Sequence, residues 1–268
     1  GKDLDLVVKE NIRGEEGTYV DITVLRGENA EETPLHVERR SIEVPTVEYQ
    51  MLENQVGYIY VTQFDEVTAK QFEDAIDDLE DQGMEKLVID LRNNPGGVLD
   101  TAVEMLAYVL PEDKLDGMLV YTADKNGEGD RYFCKDGKIQ RESDDGSRDS
   151  RYPKEDDHEL DVPLAVLVNG NSASASEVFT GAVMDYDAGI VVGTTTFGKG
   201  IVQNLIPLGD GTAIKLTTAH YYTPNGFDLH GKGLEPDVVV EMDEELQKKA
   251  VVELSEDNQL QAAIEAMN

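Results

Sequence analysis

The chain has 268 residues, which suits one large domain or one domain with a small appendage, and its 40% hydrophobic residues are enough for a buried core. It carries 23 Lys+Arg against 56 Asp+Glu, a formal charge of −33 that repels phosphate backbones and anionic headgroups and so speaks against nucleic-acid or lipid-headgroup binding. One cysteine, Cys134, rules out an internal disulfide framework and a cysteine-rich metal site.

In chain order, "LDLVVKENIRG" reads as a helix closed by Gly14, followed by an alternating strand from about Tyr19 to Leu25. "VGYIYVTQF" (56–64) is rich in β-branched and aromatic residues and predicts a strand. Phe72, Ile76 and Leu79 recur at helical spacing in "TAKQFEDAIDDLEDQG" (68–83), which ends on glycine. "EKLVIDLR" (85–92) predicts a strand buried on both faces; "NNPGG" breaks it, and "VLDTAVEMLAYVL" (98–110) predicts the next helix. Strand, helix, strand, turn, helix is the alternation of a parallel α/β core.

Residues 111–160 form an acidic insertion with turn signals at Asp136-Gly137 and Asp145-Gly146 and an expected hairpin around "YFCKDGKIQ". The run "EDDHEL" (155–160) reads as a solvated loop rather than a cation site. Next come a "PLAVLVNG" strand, a "SEVFTGAVMDY" helix, a "GIVVGTT" strand and a "TFGKG" loop. A hairpin turned at Gly209-Asp210-Gly211 follows, and "DNQLQAAIEAMN" closes the chain with a helix. No apolar run approaches the ~20 residues of a membrane span. The chain starts without Met or a signal peptide, as expected of a trimmed or processed chain whose anchor, if any, lies outside it.

Chemistry concentrates in "NGNSASASEVF" (169–179). Ser174 and Glu177 have the spacing of a capping box ahead of Val178, Phe179, Ala182 and Val183, and on local sequence alone a structural cap is the simpler role. A serine nucleophile needs a base. None of His36, His158, His220 and His230 lies in a setting that marks a triad. Lysine can serve where desolvation disfavours the ammonium. Lys199 in "TTFGKGIVQ" is flanked by glycines and apolar residues, with no acidic neighbour in sequence. "GTTTFGKG" (193–200) also nearly matches a phosphate-binding loop, but Gly200 stands where a hydroxyl should hold Mg²⁺, and the residues that follow alternate like a strand.

Taken together, "DLRNNPGG" (90–97), "VLVNGNSASASE" (166–177), "GTTTFGKGIVQ" (193–203) and "GKGLEPDVVV" (231–240) resemble the carboxyl-terminal processing peptidases, or tail-specific proteases, from about Arg40 to the end. The resemblance implies a crotonase/Clp-protease-like spiral ββα core (40–250), a truncated PDZ segment (1–39) and a C-terminal helix (251–268). It implies Ser174 as nucleophile, Lys199 as base, Gln203 as support for the base, and the N–H groups of Gly97 and Ala175 as oxyanion donors, with no metal or organic cofactor. The implied substrates are unfolded or C-terminal protein segments, and the implied location is extracytoplasmic, on the outer side of a bacterial membrane. Any membrane association is expected through a segment outside this chain, and self-association is left open. A supporting contact between Gln203 and Lys199 demands a helical turn over 199–203, since residues i and i+4 on a strand lie roughly 13 Å apart. By this resemblance the part of a PDZ domain that holds a peptide carboxylate is expected to precede Gly1, so no peptide binding is expected before Arg40.

Overall fold

The computed structural model describes residues 4–27, 30–110, 117–135, 138–151, 160–249 and 251–268. The Asp136-Gly137 turn and the acidic run through His158 lie outside them. The chain divides into two compact units, Gly1–Val44 and Pro45–Asn268.

In the first unit, helix α1 (Leu4–Val7) continues as a π-turn over Val8–Ile12, and β1 (Tyr19–Arg26) pairs antiparallel with β2 (Glu31–Glu38). Strand β2 has no counterpart in the sequence reading because Pro34 interrupts its pattern; the structure pairs Pro34 with Thr23 in this two-stranded ribbon. Arg39 ties the unit together, donating to Ile12 O (2.7 Å), Thr18 Oγ1 (2.9 Å) and Tyr19 O (2.8 Å).

The second unit is built on two six-stranded sheets. Its elements in chain order are β3 (Val47–Met51), β4 (Val56–Val61), α2 (Thr68–Asp81), β5 (Lys86–Asp90), α3 (Leu99–Val109), β6 (Gly117–Ala123), β7 (Asp130–Lys135), β8 (Lys138–Ser143) and β9 (Arg148–Arg151). There follow β10 (Leu164–Val168), α4 (Ala175–Asp185), β11 (Ile190–Gly193), β12 (Ile201–Pro207), β13 (Ala213–Tyr222), β14 (Val238–Val239) and α5 (Asn258–Ala266).

The first sheet has the order β14-β11-β10-β5-β4-β3, parallel except for the β3–β4 pair. Period-2 alternation sends Leu164, Val166 and Val168 of β10 into a core under α2, α3 and α4, with Phe72, Ile76, Leu79, Leu106 and Phe179. Ala165 and Leu167 point the other way, against Leu260 and Ala263 of α5. Both faces are therefore covered, as the unbroken apolar runs require. Full burial of such a side chain contributes roughly 1.5–3 kcal/mol. The second sheet, order β12-β13-β6-β7-β8-β9, is antiparallel throughout and includes buried Cys134 on β7. Strands β3, β6, β9 and β14 have no counterpart in the sequence reading. Tyr221 packs against the core, and Tyr222 stacks on Tyr121 with ring centroids 4.9 Å apart.

One expectation fails. Residues 199–203 form no helical turn: β12 begins at Ile201, which pairs with His220. Gln203 is exposed, pairs with Thr217 beyond a register shift at Val202/Gln203, and its Nε2 lies 3.5 Å from Thr217 Oγ1. Cross-strand hydrogen bonds with β13 satisfy this backbone, and β-branched Ile201 and Val202 favour the extended form.

Candidate active site

At the carboxyl ends of β5 and β10, where open α/β sheets carry their sites, two turns meet. Asn94, fully buried in the "NNPGG" turn, joins them. Its side chain accepts from Gly96 N–H (2.9 Å) and donates to Val61 O (2.8 Å), while its carbonyl accepts from Ala173 N–H and Ser176 Oγ, both at 3.0 Å. Asn93, Asn169 and Asn171 extend the join through reciprocal amide hydrogen bonds of 2.9–3.1 Å.

The three serines have separate fates. Ser172 and Ser176 are buried and spend their hydroxyls on Leu91 O (2.7 Å) and Asn94 O (3.0 Å). Ser174 is only half-buried and is the N-cap of α4, in capping-box geometry with Glu177. Its backbone sits at φ 58°, ψ −115°, a conformation suited to glycine and costly by about 1–3 kcal/mol for other residues. Neighbouring glycines allow the close approach: a Cβ on Gly96 would lie 2.8 Å from Ser174 Cβ, and one on Gly97 (φ 150°) would lie 1.9 Å from Phe64 O. Among the described residues, neither the Gly97 nor the Ala175 N–H has an acceptor.

Lys199 reaches this turn through a residue that the sequence marked only as a cap. The Glu177 carboxylate, fully buried, accepts Thr196 Oγ1–H (2.6 Å) and Gly198 N–H (2.7 Å) on one oxygen. On the other it accepts Lys199 N–H (2.8 Å) and Ser174 N–H (3.0 Å). Ser174 and Lys199 thus hang from a single oxygen atom, their nitrogens no further apart than the sum of those two distances. Phe197 N–H adds a bond to Ser172 O (3.0 Å). The acid-free neighbourhood read from the sequence around Lys199 is therefore not the one in the fold, which supplies Glu177 from 22 positions away. Lys199 is half-buried, and its Nζ forms no ion pair among the described residues.

The "GKGLEPD" motif backs the same loop. Gly231 N–H bonds Gly198 O (2.9 Å), Leu234 N–H bonds Thr196 Oγ1 (2.8 Å), and a Cβ on Gly200 would meet His230 N at 2.7 Å. All four sequence motifs converge on one place. Gly200 leads into strand β12, so no helix N-terminus follows the lysine and the phosphate-loop geometry is missing. Gln203, on its exposed strand, is bonded across the hairpin rather than to Lys199.

Behind the "NNPGG" turn, Arg92 is buried between Asp90 and Asp257. Burial alone would lower its pKa, but the bonds and charges of the two carboxylates outweigh that and hold it above the ordinary guanidinium value. Tyr58 donates to Asp90 Oδ2 (2.7 Å), and burial followed by the Asp90 charge raises its phenol far above the usual range. No cluster of three or more His, Cys, Asp or Glu side chains among the described residues is arranged to hold a metal ion.

Comparison with known proteins agrees with this convergence. The chain is 39% identical over 241 residues to a "Probable CtpA-like serine protease" of Staphylococcus aureus, covering 90% of this chain and 44% of that protein. A Staphylococcus haemolyticus protein of the same description is 39% identical over 240 residues, covering 90% and 43%. The chain therefore spans less than half the length of these relatives. Among solved structures, a photosystem II D1 C-terminal processing protease superposes with a TM-score of 0.58 at 29% identity, covering 85% of this chain and 57% of that one. The profile of peptidase family S41 matches residues 55–240. With its four motifs gathered around the Ser174 turn, the chain belongs to peptidase family S41.

Proposed function

We propose that this chain cleaves peptide bonds as a serine endopeptidase, with Ser174 as nucleophile and Lys199 as its base. The observation that carries the reading is the shared Glu177 oxygen, which holds the strained Ser174 turn and the Lys199 loop together at 3.0 and 2.8 Å. The Lys199 amine takes the Ser174 proton as Oγ attacks the carbonyl carbon. The oxyanion settles on the free N–H groups of Gly97 and Ala175, at the positive end of α4. Lys199 returns the proton to the leaving amine, and water attacks the acyl-enzyme to release the acid and restore Ser174.

The substrates are unfolded chains or C-terminal tails, and the setting is extracytoplasmic. Both come from the kinship with processing proteases. A fluorophosphonate probe is expected to add one label, at Ser174, by peptide mass spectrometry. An unlabelled Ser174, or a label elsewhere, rejects the assignment. Since Gln203 is exposed and bonded across the hairpin, Gln203→Ala is expected to reduce kcat by no more than about 2- to 3-fold, in line with a surface substitution of ±0.5 kcal/mol. A loss of about 100-fold would show that β12 rearranges to bring Gln203 to Lys199 during turnover.

A further inference from the structure

Residues 241–268 lie beyond the stretch that the family profile matches, yet they complete the Arg92 cluster. Asp257 is 3% exposed and caps α5, its Oδ1 accepting Gln259 N–H and Leu260 N–H, both at 3.0 Å. Its other oxygen, Oδ2, lies 2.7 Å from Arg92 Nη2. Gln259 accepts Arg92 Nη1–H at 2.9 Å and donates to Val240 O at 2.6 Å. On its remaining side Arg92 grips Asp90 through Nε (2.9 and 3.0 Å) and Nη2 (2.5 Å).

These groups wall one side of an open cavity of ≈870 Å³. Tyr58 bonds Asp90, and Arg92 bonds Asp90, Asp257 and Gln259, so the cluster works as a clamp, and among the described residues none of its buried side-chain polar atoms lacks a partner. What it clamps is the root of the oxyanion turn. Arg92 leads directly into Asn93, held at φ 62°, and Asn94, whose side chain fixes Gly96 and whose carbonyl fixes Ala173 and Ser176.

We propose that Asp257 is a positioning residue: one carboxylate both starts the C-terminal helix and, through Arg92, sets the turn that presents Gly97 N–H. Packing of α5 on the sheet is thereby coupled to the geometry of the site. The catalytic part of this inference rests on the peptidase reading, whereas the mechanical part does not.

Asp257→Asn separates the two jobs, because asparagine caps a helix as well as aspartate but presents an uncharged side chain to Arg92. Asp257→Ser, also a good cap, repeats the test without placing an amide donor opposite the guanidinium. Against a peptide substrate both variants are expected to lower kcat by about 10- to 100-fold, the scale of a displacement near 1 Å, with KM within about 2-fold. In amide hydrogen exchange, Gly96 and Ala173 should exchange about tenfold faster while β10 stays protected, which a general loss of stability would not produce. Wild-type kcat, or unchanged exchange at Gly96 and Ala173, overturns the proposal, as does unfolding of both variants, which would make Asp257 a stability residue only. If the wild-type chain cleaves no peptide, the peptidase reading fails, and hydrogen exchange alone then decides the positioning role.

Discussion

Ser174→Ala and Lys199→Ala are each expected to abolish peptide cleavage, by about 10⁴-fold or more, while the fold survives. The scale follows from losing a unit whose members act together: without the amine the hydroxyl is a poor nucleophile, and without the hydroxyl the amine has nothing to activate. Lys199→Arg should be as inactive as Lys199→Ala, because a guanidinium keeps its protons. Survival of the fold follows from the structure. Lys199 Nζ makes no ion pair among the described residues, so its removal falls within the ±0.5 kcal/mol range of an ordinary surface change.

Ser174→Gly separates chemistry from strain more sharply. At φ 58°, ψ −115°, glycine avoids a conformational cost of about 1–3 kcal/mol, against roughly 0.5–1 kcal/mol of backbone entropy and a few tenths for the cap. Relief outweighs the losses, so this inactive variant should melt a few degrees higher than the wild type. Turnover assays alongside thermal unfolding check both halves; full activity in either the alanine or the lysine variants would move the chemistry elsewhere.

The second large effect is expected at Glu177. Its two oxygens accept four donors, Ser174 N–H, Lys199 N–H, Gly198 N–H and Thr196 Oγ1–H, and offer none. In Glu177→Gln one oxygen becomes an NH₂ group, which faces either two backbone N–H donors or Gly198 N–H and the Thr196 hydroxyl, of which only the hydroxyl can turn to accept. One or two N–H donors then lose their partner, at about 1–3 kcal/mol each. Stability should fall by roughly 1–6 kcal/mol if nothing relaxes, and the loop gives way first because Lys199 lies on a half-buried segment. A drop of about 100-fold or more in kcat is expected, larger than any change in KM. Steady-state kinetics with a melting curve check it. Undiminished kcat in a folded Glu177→Gln protein would show that the shared oxygen is not what brings Ser174 and Lys199 together.

Neighbouring residues carried much of this protein in plain view. Phe72, Ile76 and Leu79 announce α2 by their period, and β5 and β10 by unbroken apolar runs, because periodicity and turn chemistry are properties of adjacent positions. Ser174, Lys199 and the "NNPGG" turn could be picked out for the same reason: each stands in a short stretch of unusual composition. Glu177 could not be understood that way. Its spacing from Ser174 shows a cap, and nothing in the neighbouring residues shows that the same carboxylate will meet Thr196, Gly198 and Lys199, since that depends on β11 lying beside β10. The pairing of Arg92 with Asp257 likewise waits on α5 crossing the far face of the sheet. Gln203 marks the limit from the other side. A demand for a helical turn was reasonable along the chain, but the hydrogen bonds of β13, available only once the hairpin closes, draw that backbone into a strand.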